Sequence, residues 1–225
     1  MKVSSFILMF SFLGVISLRG EELSAVVDNV QRTYEGIKDF KADFVQESTN
    51  KALKYTIRDT GVVYFKKPGK MRWDYFKVVD GKEILLQKIV NDGENIYFYN
   101  PADNQVIVEK LKSVIPSKVP GNFLSGMGNI KKDFDVVENY YGSEKKSKDL
   151  YYMELKPKEK IAGVNKIFIA VDREKYLVKE TITVDPFENT TKIIFSNIER
   201  NKSIPDDVFK FQIPKGANVI TPEKR

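Results

Sequence analysis

Two residue types are missing from this 225-residue chain, and each absence excludes chemistry. There is no cysteine and no histidine. Without cysteine there is no disulfide, no thiol nucleophile, no thiolate metal site and no lipid-modified N-terminal cysteine. Without histidine, Ser-His-Asp triads, Cys-His pairs and His-ligated zinc or iron are ruled out. Tryptophan occurs once, at Trp73. Long uncharged apolar runs are scarce too. The one that stands out is Val3–Leu18, behind Lys2. It suits the h-region of a signal peptide and is short for a membrane span once its serines are counted. Met1–Gly20 therefore reads as a signal peptide, with an uncleaved N-terminal anchor as the alternative, since Leu18-Arg19-Gly20 lacks the A-x-A cleavage pattern. Residues 21–225 read as one exported domain. Removing the leader takes away Lys2 and Arg19 and no acid, so the net charge falls from +6 to +4.

What remains is a chain able to pack a core. Hydrophobic residues make up 42% and aromatics 12%, with 30% charged, as expected of a soluble globular protein. The basic excess is interleaved with acids. Its dense clusters, Lys66–Arg72 and Lys145–Lys148, form no continuous stripe, which argues against nucleic acid as partner. Enzyme signals are sparse. Ser48-Thr49-Asn50-Lys51 and Ser143-Glu144-Lys145-Lys146 satisfy S-x-x-K, but the K-T-G and S-D-N elements of Ser-Lys acyl enzymes do not occur. Asp92-Gly93 and Asp103-Asn104 read as turns, since the D-x-D-x-D-G spacing of a calcium loop is missing. Gly126-Met127-Gly128 lacks the rest of a phosphate-binding glycine motif. The expectation is a protein with no catalytic residues, no metal and no cofactor.

Along the chain, Glu21–Tyr34 predicts a helix. Leu23, Val26, Val27, Val30, Tyr34 and Ile37 fall on one stripe, and Gly36 suits the helix end. That stripe needs a partner outside the helix. From Asp39 the period becomes two. Short strands follow at hairpin spacing over Asp39–Gln46, Tyr55–Phe65, Lys70–Phe76, Ile84–Val90, Ile96–Tyr99 and Val106–Lys110. Lys112–Lys132 interrupts them with prolines, glycines and a small apolar cluster, Phe123, Leu124 and Met127, the pattern of a short interrupted helix. Strands resume over Phe134–Tyr141, Leu150–Lys156, Lys166–Asp172, Tyr176–Val184, Thr190–Asn197 and Phe209–Ile213. Ten or eleven strands with so few helices predict one long antiparallel sheet that curls. Its concave side holds either a small dry core or a cavity.

The block Gly61–Tyr75 organises this pattern. With Lys67-Pro68-Gly69-Lys70 as the turn, Tyr64 faces Trp73 and Val62 faces Tyr75. One face then carries Val62, Tyr64, Met71, Trp73 and Tyr75, and the other Val63, Phe65, Arg72 and Asp74. A longer or shorter loop shifts this register by one and exchanges partners.

The order of these blocks resembles the LolA-type carriers of lipoproteins to the outer membrane. Asp39-Phe40-Lys41-Ala42-Asp43-Phe44-Val45-Gln46 looks like that family's first strand, and Gly61–Tyr75 like its most recognisable block. Val90–Pro101 is similar to the hairpin that follows, and Pro120–Gly126 stands where the family has a lid segment. The resemblance spans essentially the whole mature chain. It implies a mainly β (α+β) fold, an unclosed half-barrel of about eleven antiparallel strands with a helical lid over a hydrophobic cavity. It implies a periplasmic, monomeric, non-enzymatic chaperone that binds the acyl chains of lipoproteins. An inner-membrane ABC transporter would load it and an outer-membrane receptor would unload it. A second reading on the same fold is a lipid-sensing module that signals to a membrane partner. The candidate lining of the cavity is Leu23, Val26, Val30, Phe44, Tyr64, Met71, Trp73, Phe98, Phe123 and Leu124. The basic end of the hairpin becomes a candidate lid latch or docking edge. The family has an arginine where this chain has Lys67, and Lys66 or Arg72 could take over that tether.

Overall fold

The structure is a computed structural model that describes residues 17–111, 128–142 and 147–221, with side chains from residue 22 onward. Helix α1 (Ser17–Gly36) comes first. Strands β1 (Asp39–Asn50), β2 (Tyr55–Lys66), β3 (Lys70–Val79), β4 (Lys82–Asn91), β5 (Asn95–Asn100) and β6 (Gln105–Lys110) follow as a meander. A short helix, α2 (Ile130–Asp133), precedes β7 (Phe134–Glu138), β8 (Leu150–Pro157), β9 (Lys166–Asp172), β10 (Val178–Val184) and β11 (Thr190–Arg200). A 3₁₀ turn (Asp206–Phe209) and a last strand, β12 (Asn218–Ile220), end the chain.

All twelve strands join one sheet in the order β12-β6-β5-β4-β3-β2-β1-β11-β10-β9-β8-β7. The two halves of the meander meet where β1 pairs with β11. The end strands β12 and β7 do not pair with each other, so the sheet is unclosed. Every pairing is antiparallel except β12 on β6, which is parallel. The expected strand at Phe209–Ile213 is replaced by the 3₁₀ turn and irregular chain. Pro205 opens that turn and Pro214 follows it, and neither can donate to a ladder. The twelfth strand lies beyond them.

One side of the sheet carries the main core. Phe40, Ala42 and Phe44 of β1, Val63 and Phe65 of β2, Trp73 of β3, Ile167, Ile169 and Val171 of β9 and Phe195 of β11 all point there. Helix α1 lies on this side. Its stripe, Val26, Val27, Val30, Tyr34 and Ile37, is buried against these residues. Each aliphatic side chain so covered contributes about 1.5–3 kcal/mol of transfer free energy. The junction after the helix is fastened from the far end of the chain. Asp39 is buried, and its carboxylate accepts from the Lys202 and Ser203 amides at 2.9 and 3.2 Å. Asn201 accepts from the Lys38 amide at 2.7 Å.

The other side has smaller apolar clusters. Phe168, Ile182 and Val184 pack beneath Tyr140 and Tyr141. On β5, Tyr97 and Tyr99 receive the Phe211 ring at 5.1 and 5.8 Å, so the segment 204–214 lies across this face as a strap.

The β2–β3 hairpin differs from its expected register by one residue. Lys66 pairs with Lys70, Phe65 with Met71, Tyr64 with Arg72 and Val63 with Trp73. The loop is Lys67–Gly69, three residues long, with Gly69 at φ 66°. The Lys67 amide is drawn away to the Lys38 carbonyl at 2.9 Å, which leaves it outside a two-residue turn. Val63 and Phe65 are therefore the core residues. Val62 and Tyr64 face the opposite side.

Gly61 is where this hairpin is tightest. It pairs with Phe44 on one side and Tyr75 on the other. A Cβ here would lie 2.1 Å from the Asp74 carbonyl oxygen and 2.6 Å from the Phe44 ring. Phe44 uses that space to reach Trp73 and Tyr75 edge-on, at centroid distances of 4.7 and 4.9 Å. Gly61→Ala is expected to destabilise the protein by about 1–3 kcal/mol through overpacking. Urea unfolding followed by Trp73 fluorescence measures this, and an unchanged midpoint would contradict the close approach.

Candidate functional site

On the core side of the sheet lie seven of the ten expected lining residues, Leu23, Val26, Val30, Phe44, Met71, Trp73 and Phe98. Val26 and Val30 are buried on α1, with Leu23 partly covered at its outer end. Phe44 and Trp73 lie beneath them in the sheet, 2% and 9% exposed. Met71 is partly buried beside them. Phe98 is half-buried on the same face, opposite Ile89 on β4 and Ile107 on β6. Tyr64 is a correction. The one-residue register change carries it to the other side, where the Arg72 guanidinium lies 5.7 Å from its ring. Phe123 and Leu124 lie outside the described residues.

These residues enclose little space. Between Tyr34, Phe40, Leu177 and Phe195 the void is only about 10 Å³. A larger cavity, about 370 Å³, opens at the N-terminal end of the helix. Leu23 and Val26 form its helical wall, and Tyr151 and Met153 of β8 its sheet wall. Arg173 covers the Tyr151 ring at 4.1 Å. Along most of its length, then, the helix itself fills the concave side.

Burial raises the pKa of two phenols on this side, Tyr34 and Tyr75. Tyr34 is buried and accepts from the Val178 amide at 3.1 Å. Burial raises its pKa far above the ordinary phenol value, against a smaller lowering from that bond. Burial pushes Tyr75 up to about 12, and the Asp59 carboxylate adds to the effect. Tyr75 donates to Gln46 at 3.2 Å. Neither phenol carries charge near neutral pH, which suits an apolar lining. Among the described residues no three acidic side chains gather as a metal site.

The basic end of the β2–β3 hairpin divides its cations between two duties. Lys67 turns to the helix. Its ammonium donates to the Tyr34 and Glu35 carbonyls at 2.9 and 2.8 Å, capping the C-terminal end of α1 where the helix dipole favours a cation. The other three hold the strap. Lys66 donates to the Ile204 carbonyl at 2.6 Å and pairs with Asp206 at 2.5 Å. Lys70 reaches the same carboxylate at 3.0 Å. Arg72 donates to the Val208 carbonyl at 3.1 Å and binds the buried Asp74 carboxylate at 2.6 Å. Lys66 and Arg72 thus serve the strap, not the helix. The signal that could have separated them is the alternation of the strand itself, once the loop is counted as three residues.

Similarity to known proteins agrees with this geometry. Residues 35–212 match the family model described as outer membrane lipoprotein carrier protein LolA. The chain belongs to the LolA family. An outer-membrane lipoprotein carrier protein of Cupriavidus pinatubonensis is 32% identical over 202 residues, covering 88% of both chains. One from Nitrosospira multiformis is 30% identical over 196 residues, covering 87% of this chain and 88% of that relative. Among solved structures, an uncharacterized conserved protein from Thermus thermophilus shares the fold at a TM-score of 0.54 and 11% identity, over 89% of this chain and 99% of that one.

The strap contact has a defined acid dependence. Hydrogen bonds from Lys66 and then Lys70 lower the Asp206 carboxyl to about 2, against an ordinary value near ~3.9. Because the folded value lies below the unfolded one, the stabilisation is complete above pH ~4 and is lost as pH falls toward about 2. Asp206→Asn is therefore expected to lower the thermal midpoint at pH 6, and the difference from wild type should close between pH 4 and 2. A difference that persists at pH 2 would exclude this pairing as its source.

The helix contact has its own test. Lys67→Ala removes two charge-assisted bonds to carbonyls, and the loss is expected to be roughly 1–2 kcal/mol. Hydrogen exchange should quicken over residues 30–36 and stay unchanged in β9. Equal protection in both proteins would show that the helix end is held without Lys67.

Proposed function

We propose that this protein is a periplasmic carrier that shelters the acyl chains of lipoproteins between α1 and the concave side of the sheet, without catalysis. The observation that carries the reading is the way that side is covered. A single helix, attached through a side-chain stripe and capped by Lys67, buries an apolar surface running over β1, β2, β3, β9 and β11. Cargo is accommodated when the helix moves and its stripe is replaced by hydrocarbon.

The magnitudes favour that exchange. A methylene removed from water contributes about 0.8 kcal/mol. A single 16-carbon chain therefore gains on the order of 12 kcal/mol. That is comparable to the whole stripe, at about 1.5–3 kcal/mol for each side chain. A second or third chain exceeds it. The apolar surface is satisfied by the helix when empty and by cargo when loaded, so no nucleotide is needed to drive the protein's own opening.

Membership of the LolA family, and relatives whose printed name is outer-membrane lipoprotein carrier protein, support lipoprotein as the cargo. Export by residues 1–20 supplies the compartment. The donor is an inner-membrane ABC transporter and the acceptor an outer-membrane receptor or membrane, with the carrier monomeric between them.

Trp73 is a built-in reporter of this exchange, being the chain's only tryptophan and lying under α1. A triacylated lipopeptide with brominated acyl chains is expected to quench Trp73 fluorescence strongly and saturably. Unbrominated lipopeptide should shift the emission without comparable quenching. Lipopeptide that co-purifies with the protein yet leaves Trp73 unquenched would place the acyl chains elsewhere and overturn the proposal.

A further inference from the structure

The sheet is not continuous along its whole length. The β2–β3 ladder ends at Thr60 and Phe76, although both strands run further. Residues 55–59 of β2 continue, paired among the described residues only with β1. Residues 77–79 of β3 continue, paired among the described residues only with β4. The split begins beside a bulge, where Tyr75 and Phe76 oppose Gln87 and Leu85 and leave Leu86 as the extra residue. Bulges bend and twist a strand away from its neighbour. Two hairpin arms result, each presenting an unpaired backbone edge to the other.

The arms also carry apolar side chains on the concave side, interspersed with Asp59 and Lys77. Alternation along β2 places Tyr55 and Ile57 on the same face as Gly61, Val63 and Phe65. Alternation along β3 places Val79 with Trp73 and Tyr75. Ile84 is opposite Lys77 on that face. Tyr55, Ile57, Val79 and Ile84 are 47%, 50%, 39% and 43% exposed. The concave surface proposed to hold acyl chains therefore runs out, past Phe44 and Tyr75, into the notch between the arms.

We infer that this notch receives an extended polypeptide, the tether of a lipoprotein cargo next to its lipid attachment, which adds as a short β-strand. Two features select that occupant. Unpaired strand edges require N–H and C=O groups at strand spacing, and these are supplied by a polypeptide but not by hydrocarbon or a bilayer surface. Continuity with the concave face selects the polypeptide covalently attached to whatever lies there. The inference rests on the carrier reading. Edges of five and three residues accept a strand of roughly 10–17 Å. Recognition runs through the main chain, with alternate side chains over Ile57 and Val79, so tethers of unrelated sequence fit the same notch.

Hydrogen exchange on the intact protein tests this with three probes. They are a triacylated cysteine carrying a peptide of ~10 residues, ~33 Å extended, the same triacylated cysteine without the peptide, and the peptide without lipid. Both lipidated probes should alter Trp73 fluorescence. Only the one with the peptide should slow exchange at residues 55–59 and 77–79, by about tenfold, the factor set by one net hydrogen bond of ~1.4 kcal/mol. Ile57→Asp with Val79→Asp, at two exposed positions, should weaken binding of the peptide-bearing probe about tenfold more than that of the probe without the peptide. If both lipidated probes bind and neither slows exchange in the arms, the inference fails and the carrier reading stands. If neither probe reaches Trp73, both fail. Equal weakening of both probes, or slowing that grows with protein concentration and no ligand, overturns the assignment. The second result would make the occupant another copy of this chain.

Discussion

The fold depends on how a long unclosed sheet covers its concave side. A closed barrel would bury that side with its own opposite wall. Here β12 and β7 stay apart, and the wall is missing. The helix α1 replaces it through four buried side chains, Val26, Val27, Val30 and Tyr34, with Ile37 just past its end. Nothing else among the described elements spans that face so widely, although α2 leans on the helix through Gln31, whose amide accepts from Ile130 and donates to the Gly128 carbonyl. The core is therefore made of one large sheet surface and one small helical cover. That asymmetry connects stability with the proposed carriage of lipid. The contacts that keep the empty protein dry are the ones a hydrocarbon chain would replace.

Charge serves the framework more than the cargo. Ion pairs on exposed side chains contribute little individually, and Asp206 is exposed. Its value lies in gathering Lys66 and Lys70 onto one carboxylate at the strap. Arg72 and the buried Asp74 make a stricter arrangement, because an unpaired carboxylate at that depth would be costly. Lys88 is 3.9 Å from the same carboxylate. Burial lowers its pKa, Asp74 opposes that lowering and Arg72 adds to it. These cations face away from the concave side. The deeply buried part of the apolar face is lined by uncharged groups, including the two raised phenols, Tyr34 and Tyr75.

Much of this was legible in the sequence, and the failures have local causes. The helix stripe declared itself because its period is 3.6 and all five deeper positions are apolar. The strands of the meander declared themselves through alternation and turn residues. Alternation alone did not settle the Gly61–Tyr75 hairpin, because both of its faces carry large side chains. Val63 and Phe65 compete with Val62 and Tyr64 as core candidates, and one loop residue decides between them. That residue, Lys67, is set by a bond to Lys38, which no local pattern announces. The strap was misread as a strand for a similar reason. Phe209 and Phe211 have strand-like spacing, but Phe209 ends the 3₁₀ turn and Phe211 stacks on Tyr97 of β5. The cleft between the arms has no signature of its own, since Tyr55 and Ile57 look like any paired strand.

The two duties of the hairpin end also explain how one side of the sheet can open while the other holds. Lys67 reaches the helix from the loop, and Lys66, Lys70 and Arg72 reach the strap from the paired strands. No side chain among these four bridges helix and strap. Releasing α1 breaks the contacts of Lys67 and leaves the other three cations in place. The strap in turn keeps Phe211 over Tyr97 and holds β5 through that ring pair. The link between the two systems is the junction at Asp39, where 201–203 fasten the residues just after the helix. That junction sits at the hinge end of α1, next to the Lys67 cap. A helix lifting from its N-terminal end, where the 370 Å³ cavity already separates it from β8, would keep both fastenings until last. If α1 yields to cargo as proposed, this placement would let it part first at the cavity beside Leu23 and last at the Lys67 cap near Glu35.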